Sequence, residues 1–140
     1  MTPFCGYNMG DYFQHWLRMG DRLGNKAPRI FYVNWFRKTA DGHWLWPGFG
    51  DNIRVLKWMC ERVDGKVKGL ETAIGILPAE GELDLSGLTL PAEDVKELLK
   101  VDNAVWRNEV SDIEAFFAKF GKRLPTRMAQ QLEALKKRLG

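Results

Sequence analysis

The chain has 140 residues, of which 45% are apolar and 28% charged, with a net charge of +3. That length suits one domain with one core, the composition is soluble-globular, and so mild a positive balance gives no reason to expect a nucleic-acid or membrane partner. No apolar run approaches a membrane span, and the opening residues, MTPFCGYNMG, carry neither a charged nor an apolar leader segment. Cys5 and Cys60 lack the close spacing of zinc ligands. The expectation is a cytoplasmic protein with reduced, largely buried thiols.

Asn8 to Leu23 reads as a helix, with Tyr12, Phe13, Trp16, Leu17 and Met19 along one side and Gly24 ending it. Arg29 to Phe36 contains Ile30, Phe31, Tyr32 and Val33, a run that predicts a buried strand. Thr39-Ala40-Asp41-Gly42 is a turn signal, so the strand is expected to fold back through His43 to Trp46. Pro47, Gly48 and Gly50 interrupt regular structure. Asp51 then suits the N-cap of a helix from Asn52 to Val63, with Ile53, Leu56, Trp58, Met59 and Val63 as its apolar face and Asp64-Gly65 as its stop.

Thr72 to Leu77 reads as another short strand, and Pro91 opens a helix to Lys100. Asp102 to Phe120 places Val105, Trp106, Val110, Ile113, Phe116, Phe117 and Phe120 at helical spacing. Pro125 suits the first turn of a last helix, with Met128, Leu132, Leu135 and Leu139 facing inward. The fold class is α/β, a mixed and helix-rich arrangement. Short strands are marginal in water without a larger sheet, so these are expected to belong to a larger sheet than this chain supplies.

Chemistry concentrates between Asn34 and Trp58, where Trp35, Phe36, Trp44, Trp46, Phe49 and Trp58 surround a Pro-Gly-Phe-Gly-Asp-Asn turn. Two phenyl faces, Phe36 and Phe49, suit a flat heterocycle, each stacking contributing on the order of 1–3 kcal/mol. Stacking does not tell purines apart. Asn52 supplies one acceptor and two donors, which can. Gly48-Phe49-Gly50 before a helix start is a weak anion-site signal, and no GxxxxGK[ST] loop occurs in the chain. The residues alone leave two readings open: a binding slot, or a packed corner in which Trp35, Trp46 and Trp58 are core and Asn52 only serves its helix.

The run Asn34-Trp35-Phe36-Arg37-Lys38, then Trp44-Leu45-Trp46-Pro47-Gly48-Phe49-Gly50-Asp51-Asn52, then Arg54-Val55-Leu56 and Trp58, resembles the guanine-binding segment of GTP-dependent phosphoenolpyruvate carboxykinases. Pro3-Phe4-Cys5-Gly6-Tyr7-Asn8 with His15-Trp16, the stretch from Trp106 to Glu114, and Leu124-Pro125 with Leu135-Lys136 are similar to family segments on either side. The resemblance implies that residues 1–140 are the C-terminal part of the family's nucleotide-binding domain, carrying the guanine-binding segment 34–58. It implies a nucleotide site of Phe36, Trp44, Phe49, Gly50, Asp51 and Asn52, with Phe36 and Phe49 sandwiching the base and Trp44 standing where phenylalanine is usual.

The family reaction takes oxaloacetate and GTP to phosphoenolpyruvate, GDP and carbon dioxide, a step of gluconeogenesis. It uses manganese, and magnesium with the nucleotide. By the same resemblance the catalytic and metal-binding residues precede this region: none is carried over to Cys5, Cys60, His15 or His43. The expected partners are therefore a guanine nucleotide and the missing N-terminal part of the parent, with self-association through exposed strands as a further possibility, and the isolated chain is expected to be inactive. The alternative is a free-standing guanine-nucleotide-binding or structural interaction domain without catalysis.

Overall fold

A computed structural model describes residues 4–140; Pro3, the first residue of the resemblance, lies outside them. The described residues gather into two compact units, one of residues 4–28 with 102–140 and one of residues 29–101.

The first unit is helical. Helix α1 (Met9–Leu23) starts where the Asn8 side chain accepts from the Gly10 N–H and ends at Gly24, whose φ is 52°. Helix α4 (Asn103–Ala118) is capped by the Asp102 carboxylate, which accepts from the N–H groups of Ala104 and Val105. A single 3₁₀ turn, Gly121–Arg123, leads through Pro125 into helix α5 (Thr126–Leu139). Val110, Phe120, Leu132 and Leu139 are buried. The Phe120 ring takes edge contacts from Phe13 at 5.2 Å and Phe116 at 5.1 Å, which joins α1 to the α4–α5 pair. Arg123 on Asp11 and Arg127 on Asp21 close the same seam at the surface. Val105, one of the residues at helical spacing, is exposed.

The second unit is built on helix α2 (Asn52–Val63), helix α3 (Ala92–Leu99) and a short antiparallel hairpin, β1 (Leu70–Thr72) with β2 (Gly75–Leu77). The expected single strand Thr72–Leu77 instead holds the end of β1, a two-residue turn and β2, with Glu71 pairing with Ile76: the chain reverses at Ala73-Ile74, where Thr72 Oγ1 accepts from the Ile74 N–H, and Gly75 at φ 136° opens β2. Glu82 holds the hairpin to α2. Its carboxylate accepts from the Trp58 indole at 2.9 Å and from the N–H groups of Lys68, Gly69 and Ala79.

Three expectations for this unit fail for one reason. Arg29–Phe36 is not a buried strand: Ile30 and Tyr32 are almost wholly exposed, and among the described residues no strand pairs with them. The return through His43–Trp46 reduces to one antiparallel bridge, Lys38 with Trp44. On α2 only Trp58 is buried, while Ile53, Leu56 and Val63 face solvent. An isolated two-strand pairing is marginal without a sheet to join, and an apolar stripe is buried only if something covers it. Cys60 on that helix is likewise exposed rather than buried, and both cysteines are free.

Two glycines of α1 separate packing from propensity. A Cβ on Gly10 would lie 2.2 Å from the Arg123 carbonyl oxygen, whereas one on Gly20 meets nothing within 4 Å. Gly10→Ala is therefore expected to destabilise the first unit by about 1–3 kcal/mol through overpacking. Gly20→Ala should stabilise it by up to about 1 kcal/mol through helix propensity. Urea unfolding followed by circular dichroism reads both signs, and an unshifted midpoint for Gly10→Ala would contradict the packing.

Candidate nucleotide site

All the candidate residues lie in the second unit. Their foundation is Leu45, wholly buried, and Trp46, 6% exposed. From this pair the chain runs back to Trp44 and Phe36 on one side and forward to Phe49 and Asn52 on the other.

On the first side, the Lys38–Trp44 bridge and the bond from the Leu45 N–H to the Arg37 carbonyl, 3.0 Å, fold the segment into a hairpin. Gly42, at φ 92°, makes its turn. The Phe36 and Trp44 rings meet edge to face at 5.9 Å, and the Lys38 ammonium sits 4.0 Å over the Trp44 ring. Phe36 remains 73% exposed, so its face is open. Arg37 anchors the hairpin to the end of α3, donating to the carbonyls of Leu98 and Lys100 and to the Glu97 carboxylate at 2.9 Å.

On the second side, Gly48 at φ 80° and Phe49 at φ 27° turn the backbone into a 3₁₀ turn, Phe49–Asp51, that runs into α2. A positive φ in a residue with a side chain costs about 1–3 kcal/mol. The phenyl ring gains no offsetting burial, because it is 97% exposed and makes no ring contact among the described residues. Hence Phe49 is held out into solvent by a strained backbone, the opposite of a packed corner. Phe36 meets Trp44, and no ring contact joins it to Phe49.

Asp51 stands at the N-cap position of α2, as expected, but without a capping bond. It has helical φ and ψ, and its side chain caps nothing, since its carboxylate is taken by the Arg54 guanidinium at 2.9 Å. Arg54 also donates to the Asp84 carbonyl at 2.7 Å. Asp84 is pulled far below the usual carboxylate range by Ser86 and Lys57. Gly50 leaves open space beside its Cα. Asn52 begins α2, its N–H bonded to the Phe49 carbonyl. Its side-chain oxygen accepts from the Trp46 indole N–H at 2.9 Å. Sequence reasoning placed Trp46 in the core and missed this bond; nothing in the spacing of the two residues signals it.

The described residues contain no group of three or more His, Cys, Asp or Glu placed to hold a metal ion. Two surface concavities, one by Cys5, Met9 and Tyr12 and one by Phe117, Leu124 and Leu132, belong to the other unit and contain no candidate residue. No helix among the described residues is long and apolar enough to cross a membrane.

The family described as the phosphoenolpyruvate carboxykinase C-terminal P-loop domain matches residues 1–138. The chain is 51% identical over 141 residues to a protein of Treponema pallidum (strain Nichols), 53% over 142 to one of Neocallimastix frontalis, and 48% over 139 to one of Corynebacterium glutamicum (strain R). Each is named phosphoenolpyruvate carboxykinase (GTP), and each match covers 99% of this chain. A helical unit and an α/β unit, the latter with an exposed aromatic turn at a helix start, thus carry the sequence of a carboxykinase C-terminal P-loop domain. The chain belongs to the GTP-dependent phosphoenolpyruvate carboxykinase family. It spans 23% of the length of those relatives.

His43 makes the hairpin beside Trp44 sensitive to pH. Its Nε2 lies 3.4 Å from the Asp94 carboxylate on α3, and its Nδ1 lies near Thr39 Oγ1 and the Asp41 carboxylate. The Asp94 contact first, and Asp41 after it, raise the His43 pKa above its usual 6.5. A raised imidazole pKa means that the tie is complete below about pH 6.5 and is lost as pH climbs through the folded value. NMR titration should give a His43 midpoint above about 6.5 that drops in Asp94→Asn; an unraised midpoint in the unaltered chain would refute the tie.

Proposed function

We propose that residues 1–140 are a C-terminal piece of a cytoplasmic GTP-dependent phosphoenolpyruvate carboxykinase, and that segment 34–58 is its guanine site. Phe36 and Phe49 stack on the two faces of the base, Trp44 closes one edge behind Phe36, and Asn52 reads the polar edge. Gly50 and Asp51 complete the turn. The carrying observation is Phe49: an exposed ring on a positive-φ backbone between two glycines gains nothing in the free chain and gains stacking once a base arrives.

The piece supplies positioning. By fixing the purine it directs the triphosphate toward the parent's reacting centre, which converts a bimolecular encounter into an oriented one. Oxaloacetate decarboxylation and phosphoryl transfer, with manganese and magnesium, fall to residues of the parent outside this chain. The solvent-facing Ile30 and Tyr32, and Ile53, Leu56 and Val63 of α2, support the same reading, as surface that the remainder of the parent covers. The runner-up, a free-standing interaction domain, rests on the same exposed side chains.

Without a phosphate anchor the chain should bind GDP weakly. Two stacked faces at about 1–3 kcal/mol each sum to about 2–6 kcal/mol, which corresponds to dissociation constants from tens of millimolar down to tens of micromolar, within reach of NMR shift titration. Phe49→Ala should weaken GDP binding about tenfold or more. It should move stability by less than about 0.5 kcal/mol, as for an exposed side chain. Unaltered GDP binding in Phe49→Ala would remove Phe49 from the site. The isolated chain should show no turnover with oxaloacetate, GTP and manganese, and measurable carboxykinase activity would overturn its reading as a positioning piece.

A further inference from the structure

We propose that Trp46 is a positioning residue for base selection: its indole N–H locks the Asn52 carboxamide into the one orientation that suits an oxopurine. This rests on the guanine-site reading and deepens it.

A carboxamide is two-faced. Rotated by half a turn about its last torsion, it exchanges its oxygen for its NH₂ at nearly the same place. One orientation offers a donor to guanine O6 while the oxygen receives the neighbouring ring N–H. The other suits adenine, whose exocyclic amine donates and whose ring nitrogen accepts. An Asn free to turn therefore accommodates either base and discriminates poorly.

Asn52 is not free to turn. Its Oδ1 lies 2.9 Å from Trp46 Nε1. An indole nitrogen only donates, so the oxygen must face it. The indole cannot swing away, because Trp46 is buried and adjoins the wholly buried Leu45. Nor can the Asn52 backbone, whose N–H is bonded to the Phe49 carbonyl. Among the described residues the Asn52 NH₂ has no protein partner, so both its protons remain for a ligand, and the oxygen keeps one lone pair. Turning the amide to serve adenine would set NH₂ against N–H and leave a buried donor unpaired, which is heavily disfavoured. The selectivity against adenine thus resides in a bond the ligand never touches.

The test removes that one N–H without altering the ring's shape, by Trp46→benzothienylalanine, with Trp46→Phe alongside. GDP and ADP binding to the 140-residue chain are measured by NMR titration, together with Asn52→Ala. The expected result is that the chain prefers GDP, and that benzothienylalanine lowers the GDP:ADP affinity ratio about tenfold, equivalent to about 1.4 kcal/mol. Most of that change should come from tighter ADP binding, which a packing defect would not produce. If the chain prefers GDP, Asn52→Ala abolishes the preference and benzothienylalanine leaves the ratio unchanged, the lock is wrong and the guanine site stands. If the unaltered chain shows no preference, or Asn52→Ala retains it, the guanine-site reading fails and the lock fails with it.

Discussion

Burial of Leu45 and Trp46 is the constraint on which the candidate site hangs. Two adjacent side chains go into the core, and everything polar or aromatic that matters is displayed on either side of them. Behind them the Lys38–Trp44 bridge and the Arg37 contacts to α3 fix the Phe36 arm. Ahead of them the glycine-flanked turn fixes the Phe49 arm, and the Trp46 indole holds Asn52 across the turn. A rigid anchor with side chains on short tethers is how a site keeps its geometry while its rings stay open to solvent.

The two units divide their labour along the same line. The first is held by interlocked rings and helix ends, with Phe120 receiving Phe13 and Phe116 and the Arg107 guanidinium donating to the Leu139 carbonyl at the end of α5. Its buried side chains come from all three of its helices. The second buries fewer large side chains and leaves much of its apolar surface to solvent. Polar ties at Glu82, Arg54 and Arg37 do much of the holding there.

The helices were legible because their signals are local. Asn8, Asp102 and Gly24 sit at helix ends where their side chain or missing Cβ has a defined use, and the helical apolar spacing of the late segments stood out. Strand was legible at Gly75–Leu77 but not its hairpin partner, and the early strand failed, because a run such as Ile30-Phe31-Tyr32-Val33 states only that it favours a sheet, not that a partner is present. The sequence places Asp51 correctly at the start of α2, but its capping bond is lost to a competing ion pair: Arg54, itself held by the distant Asp84, takes the carboxylate. Of the candidate site, the segment alone offers the phenylalanines and the amide as candidates, but the Trp46–Asn52 bond arises only when a turn and a helix start are folded together.

The first and last stretches of the chain meet in one unit while residues 29–101 form the other between them. During synthesis the ribosome therefore completes the inner unit first. The Phe13–Phe120 contact that ties α1 to the late helices cannot form until the whole inner unit between them has been translated. At elongation speeds of about 5–20 residues per second, that contact closes at least about five seconds after α1 itself is made.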